Sequence, residues 1–364
     1  LHDASLHDDY SPLDGTRQPL RWALGGRNLA KLEGVAGQLN SPAGQVPILV
    51  GDSFDRASLD AIVRRSSVIC STVGPYAKYG SELVAACVQH GTHYCDLTAE
   101  VQWMRDMMDR HEAQARQTGA RIVHCCGFDS IPSDLGCYFL QQHMQAEHDV
   151  VCVQVKLRVL KMRGGFSGGT AASMLDMLDR SRRDPRVRQM VEDPYAMNPA
   201  GARGGLDGPD RQVVGWDRDL CGWTAPFVMA PMNTRVVRRT NALLDYLYGR
   251  DFHYDEAVLM GRGPWGWISA HSLTSGLKLF QAAASARPTR AVLEKWVLPR
   301  PGQGPSAAQR RKGGFEIQLV GKPDAGATDY WSAIVTGDQD PGYGSTSKML
   351  AECAVCLAQD VDLL

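Results

Sequence analysis

This 364-residue sequence has no apolar run approaching the ~18 residues that a helix needs to cross a bilayer. It carries no excess charge of either sign: 39 basic residues stand against 40 acidic ones, which removes the electrostatic case for nucleic acid as a partner. No tyrosine is followed four residues later by lysine, so the chain lacks the short-chain dehydrogenase pair, in which an ammonium lowers a phenol's pKa. Ten cysteines are present, but not in a metal-binding pattern: the Cys-x-x-C formed by Cys353 and Cys356 has no second pair and no nearby histidine. His90, His93, Cys95 and Asp96 are close in sequence, yet they cross from an expected helix end into an expected strand, which splays their side chains and argues against a metal. Cys70, Cys87 and Cys152 fall in expected strands or on an apolar helix face, where a thiol acts as a small hydrophobe. With no stretch read as a secretory leader, the expectation is reduced thiols in a cytoplasmic setting.

What is present is organised around residues 67–136. Val68-Ile69-Cys70-Ser71-Thr72-Val73, followed at once by Gly74-Pro75-Tyr76, reads as a buried parallel strand that stops at its carboxyl end. A helical run from Ser81 to His90 closed by Gly91, a strand from Thr92 to Leu97, a helix to Thr118 closed by Gly119, and a strand from Arg121 to Cys126 follow. This alternation predicts an α/β fold with a Rossmann-like, doubly wound parallel sheet. Such sheets bind ligands beyond the carboxyl ends of their strands. Three loops are expected to converge there: Gly74-Pro75-Tyr76, Asp96-Leu97-Thr98 and Gly127-Phe128-Asp129-Ser130.

Upstream, Leu20 to Leu24 reads as a short strand, ending in Gly25-Gly26-Arg27-Asn28 before a helix from Leu29. In dinucleotide folds this strand end carries an acid for the ribose of NAD, or an arginine for the 2′-phosphate of NADP. Arg27 stands there, and a planar guanidinium suits phosphate oxygens; the bland alternative is a solvated surface arginine. Asp52, just past a strand from Val46 to Val50, either accepts from the adenine amine or caps the next turn. The opening strand and its G-x-G-x-x-G turn are not found before Trp22, so the chain is expected to begin inside the connection after the first helix.

Beyond the helix entered at Pro132 the period changes. Val151 to Val159 alternates strictly, as a half-buried antiparallel strand does. A helical run ends at Arg180, and the Arg-, Pro-, Gly- and Asp-rich stretch 182–215 is the expected mobile segment. Phe315 to Val320 and Tyr330 to Thr336 read as a hairpin, and Lys348 to Leu357 as a closing helix. The change of period marks a change of domain at about residue 148. Between Trp216 and Trp296 the aromatics and Met229, Met232 and Leu279 concentrate, as a long apolar substrate or a peripheral membrane contact would use. Ordinary core is the competing use. Gly165-Phe166-Ser167-Gly168-Gly169 satisfies G-x-S-x-G, so a serine hydrolase at Ser167 is a minor alternative. The elbow serine must follow a strand directly, however, and the expected strand ends near Leu160.

The strings Ala23-Leu24-Gly25-Gly26-Arg27-Asn28-Leu29-Ala30, Val73-Gly74-Pro75-Tyr76, Gly91-Thr92-His93-Tyr94-Cys95-Asp96-Leu97-Thr98-Ala99-Glu100 and Gly127-Phe128-Asp129-Ser130-Ile131-Pro132-Ser133-Asp134 resemble those of the saccharopine dehydrogenase-like oxidoreductases, and most those of their trans-acting enoyl reductase branch. Ala99 departs from the family's usual glycine. The resemblance implies NADP(H) as cofactor, bound through Arg27, Asn28, Asp52, Thr72, Val73, Gly74 and Pro75, with no metal. It implies hydride addition to the β-carbon of an unsaturated acyl thioester or lipid, free or carrier-bound, and leaves a homodimer open. It also implies a nucleotide-binding domain at 1–147, a second α+β domain on a mixed sheet at 148–340, a returning C-terminal helix at 341–364, a glycine-rich loop and a C-terminal continuation, so the sequence reads as a fragment. The enolate needs hydrogen-bond donors and its α-carbon a proton. Tyr76 and Asp129 are the catalytic candidates, with Tyr94 and His124 behind them. Each has a structural alternative: Tyr76 packing under the nicotinamide, Asp129 capping the helix at Pro132, Tyr94 and His124 facing the core. A non-catalytic, lipid-associated dinucleotide-binding scaffold is the alternative function.

Overall fold

The computed structural model describes residues 20–39, 46–164, 168–298, 304–324 and 326–361. The chain divides into two compact units: residues up to Leu97, Met107–His124 and Leu350 onward form the first, Thr98–Asp106 and Cys125–Met349 the second.

In chain order the elements up to His124 are β1 (Leu24–Gly26), α1 (Leu29–Ala36), β2 (Ile48–Val50), α2 (Arg56–Val63), β3 (Val68–Ser71), α3 (Tyr76–Tyr79), α4 (Ser81–His90), β4 (His93–Asp96), α5 (Val101–Thr118) and β5 (Ile122–Val123). The strands are parallel throughout, in two pieces: β1 beside β2, and β3-β4-β5. Among the described residues no strand joins β1 to β3. Helix starts are chemically marked. Asn28 Oδ1 accepts from Lys31 N at 3.0 Å, and Asp55 Oδ1 from Ala57 N at 3.1 Å, each satisfying an amide that the first turn leaves over. α4 ends at Gly91 with φ +71°, where an added Cβ would lie 2.9 Å from the Thr118 carbonyl oxygen. The first strand lies later than its apolar residues suggest. Leu24 N donates to Pro47 O, and Pro47 has no N–H to return, so the ladder runs forward from Leu24 to Gly26.

The remaining elements are α6 (Ile131–His148), β6 (Gln154–Arg163), α7 (Gly168–Arg183), α8 (Pro185–Glu192), β7 (Gly215–Asp217), β8 (Gly222–Pro226), α9 (Ala230–Leu243), β9 (His253–Gly261), α10 (Gly263–Ser285), α11 (Arg287–Val292), α12 (Ala307–Lys312), β10 (Gly314–Lys322), β11 (Trp331–Gly337) and α13 (Thr346–Gln359). Their strands make one mixed sheet in the order β11-β10-β6-β9-β8-β7. The expected hairpin is there, with Phe315 opposite Gly337 and Gly321 opposite Trp331. The 151–159 strand was expected to be antiparallel; β6 is antiparallel to β10 but parallel to β9. Alternation reports which face is buried, not the direction of the neighbour. Val155, Leu157 and Val159 of β6 join Ile317, Leu319 and Phe128 in the core, with Phe128 and Phe315 edge-on at 4.8 Å. Gly136 lets α6 lie close on this sheet, since a Cβ there would meet Leu319 and Val335 at 3.0 and 3.1 Å.

The segment 182–215 is not the open loop its composition suggests. It contains α8, and Tyr195, Ala196, Met197 and Asn198 are buried. Arg235 donates to the Asp193 and Val191 carbonyls, Arg238 to that of Pro194, Arg239 to that of Met197, and Arg105 to that of Asn198. The guanidiniums of Arg235 and Arg238 are in turn paired with Asp210 and Asp207 at 3.0 and 2.8 Å.

Candidate cofactor and active site

The first unit's carboxyl strand ends gather most of the predicted cofactor residues. Arg27 follows β1 directly and is exposed, with no ion pair or hydrogen bond among the described residues. No carboxylate occupies the position. The guanidinium stands exposed at the entry to a helix. Asn28 is committed to capping α1. Asp52 shapes the turn after β2, its Oδ1 accepting from Phe54 N at 2.9 Å while its own N–H donates to Ser58 Oγ at 3.0 Å. Of the two readings of Asp52, the turn is the one built by these contacts.

Past β3, Thr72 and Val73 are exposed and Gly74 and Pro75 half-buried, with Val73 N reaching Ser71 Oγ at 3.4 Å. Tyr76 is buried. Its hydroxyl donates to the Ser71 carbonyl at 3.1 Å and accepts from Leu97 N at 3.2 Å, tying the end of β3 to the end of β4. Beside it, Asp96 is fully buried and His124 nearly so, joined Oδ2 to Nδ1 at 2.8 Å. The Tyr94 ring meets His124 edge-on at 6.1 Å. Burial, with Asp96 close by, pushes the Tyr94 phenol well above its ordinary pKa, so it stays protonated. The other members of the 90–96 run go their own ways: His90 binds Asp60 at 3.0 Å, and His93 Nδ1 accepts from Arg121 N at 3.1 Å.

The loop with Asp129 belongs to the second unit. Asp129 is half-buried, and the N-cap position of α6 falls to Ser130, whose side chain caps nothing. Ser130 Oγ instead donates to Asn233 Oδ1 at 3.2 Å. Asn233 Nδ2 donates to Glu256 Oε2 at 2.9 Å, and Tyr254 OH to Glu256 Oε1 at 2.8 Å. This buried chain joins the loop to α9 and β9. Burial raises the Glu256 carboxyl to about 7, against the opposing pull of Ser133, Asn233 and Tyr254. Asp134, one turn into α6, is likewise raised to about 6 by burial, with Thr240 Oγ1 donating to its Oδ2 at 2.9 Å. Sequence reasoning missed this network because Glu256 and Asn233 lie more than 100 residues from the loop. Ser167 lies outside the described residues.

Comparison with known proteins adds the following. Residues 8–123 match the family model for the saccharopine dehydrogenase NADP-binding domain. A protein of Mycobacterium tuberculosis H37Rv, named provisionally as a trans-acting enoyl reductase, is 41% identical over 353 residues, spanning 94% of this chain and 84% of its own. The trans-acting enoyl reductase of Mycobacterium ulcerans is 36% identical over 356 residues, with the same coverage of each chain. Among solved structures, an amine dehydrogenase from Mycobacterium smegmatis aligns over 92% of this chain and 85% of its own, at a TM-score of 0.40 and 13% identity.

Proposed function

The chain belongs to the trans-acting enoyl reductase branch of the saccharopine dehydrogenase-like oxidoreductases, and on that premise we propose that it reduces the α,β-double bond of an acyl thioester with NADPH. NADP(H) is the cofactor of the matched domain. When bound, it supplies a hydride for the β-carbon. The residues that would hold it are Arg27 at the extra phosphate and the 72–75 loop beneath the nicotinamide end.

Within this proposal Tyr76 is a positioning residue, since its hydroxyl bridges the Ser71 carbonyl and the Leu97 amide. It sets the spacing of two strand ends that must face the cofactor. Asp129, in the loop before α6, is the proposed proton donor to the α-carbon. The substrate is an acyl chain, free or carrier-bound.

The observation that supports the cofactor assignment is Arg27, exposed after β1 with no ion pair among the described residues and no acid in its place. Titrating NADPH and NADH against the wild type and Arg27→Ala tests it. The variant should lose about ten- to a hundredfold in NADPH affinity, the scale of a charged hydrogen bond, and little in NADH affinity. Equal losses for both cofactors would remove Arg27 from the phosphate site.

A further inference from the structure

We propose that the outer face of α10, with the turn after α11, docks the protein on an anionic lipid bilayer. α10 is a 23-residue helix whose buried stripe, Gly266, Ala270, Thr274 and Ala284, lies against the mixed sheet at β8 and β9. A surface helix normally turns charge towards water on the opposite side. Here that side presents Trp265, Ile268 and Leu279, which are 79%, 43% and 72% exposed, with serines between them. Lys278 is the only charged residue in the helix. At the end of α11 and just past it the pattern resumes: Val292 is 56% and Trp296 75% exposed, and Lys295 Nζ stands 5.2 Å from the Trp296 ring centre. Two indoles and two large aliphatic side chains open to solvent on neighbouring elements are more than scattered surface residues.

The charge around this face identifies its partner. Arg182, at the end of α7, donates to the Ser285 carbonyl, and Arg290 pairs with Asp179 at 2.5 Å, so the basic end of α7 is held against the end of α10. Residues 176–190 and 262–298 together carry ten Lys/Arg against four Asp/Glu, in a chain whose totals are 39 and 40. Apolar anchors with interfacial tryptophans inside a basic surround match acyl chains beneath anionic headgroups. Among the described residues no helix is long and apolar enough to cross a membrane, so the contact is with the surface. The inference stands independently of the reductase reading.

Co-sedimentation of the full chain with vesicles of phosphatidylcholine, alone or mixed with phosphatidylglycerol, tests it. Binding should be at least about tenfold tighter to the mixed vesicles, weaken with salt, and shift tryptophan emission to the blue. The variant Trp265→Ser/Leu279→Ser/Trp296→Ser should lose that binding while melting at the wild-type temperature, because all three side chains are largely exposed. No binding, equal binding to both vesicle types, or a triple variant that binds like the wild type would overturn the proposal. So would light scattering that finds a dimer which the same substitutions dissociate, because the face would then cover a second copy.

Discussion

A phenol donates a proton to a substrate only when its O–H can turn towards it, and that of Tyr76 is held by the Ser71 carbonyl. Tyr76→Phe should therefore cost stability, about 1–3 kcal/mol for two buried hydrogen bonds, and leave kcat within about tenfold. Thermal melts and initial rates check this; a kcat collapse at unchanged melting temperature would make the phenol a catalyst. Glu256 gives a residue-scale prediction of another kind. Its folded pKa is raised from 4.5 to about 7 by burial, so the fold favours the protonated form. Below the unfolded value both states hold the proton and the contribution is whole. As pH rises from 4.5 towards 7 the unfolded chain releases its proton first, and stability falls by on the order of 3 kcal/mol by the time the folded value is passed. Asp134 adds in the same direction. Urea unfolding at about pH 5 and about pH 8 should show a more stable protein at the lower pH, with Glu256→Gln flattening the difference. An unchanged slope in the variant would clear Glu256 of the effect. The position of Arg27 and Asn28 between a strand and a helix was legible because it is local. The Asp96–His124 pair was not, since 28 residues separate its partners.

Elements were legible where chemistry marks their ends. Asn28, Asp55 and Gly91 each do a job that propensity alone would assign them. Gly91→Ala should destabilise the first unit by at least about 1–2 kcal/mol, because the left-handed backbone penalises a Cβ and the Thr118 carbonyl lies 2.9 Å from where it would sit. A denaturant midpoint unchanged from wild type would contradict that account of the turn. The segment 182–215 misleads for a physical reason. Arginines and aspartates read as solvent-facing, yet here the arginines of α9 spend their donors on its backbone carbonyls. Composition records the charges and not their partners. The direction of β9 relative to β6 was illegible likewise, since it depends on the 89-residue connection 164–252.

For the whole molecule, alternating strands and helices led to a Rossmann-like first part, and the family resemblance to a mixed sheet in the second, which is the architecture found. Among the described residues the parallel strands of the first part form two pieces, β1-β2 and β3-β4-β5. What sequence could not foresee was how much of the second unit's interior is polar. The Ser130–Asn233–Glu256–Tyr254 chain unites residues that are scattered along the sequence and close only after folding. The claim that organises the rest is that this chain moves a hydride from NADPH to an enoyl thioester. The direct test is mass spectrometry of 2-enoyl thioesters of increasing chain length after incubation with the protein and NADPH deuterated at the nicotinamide C4. The account predicts a saturated thioester with two hydrogens gained, the β-carbon one arriving as deuterium from the cofactor and the α-carbon one from solvent. Tight NADPH binding with every enoyl chain returned unsaturated would contradict it and leave a dinucleotide-binding scaffold.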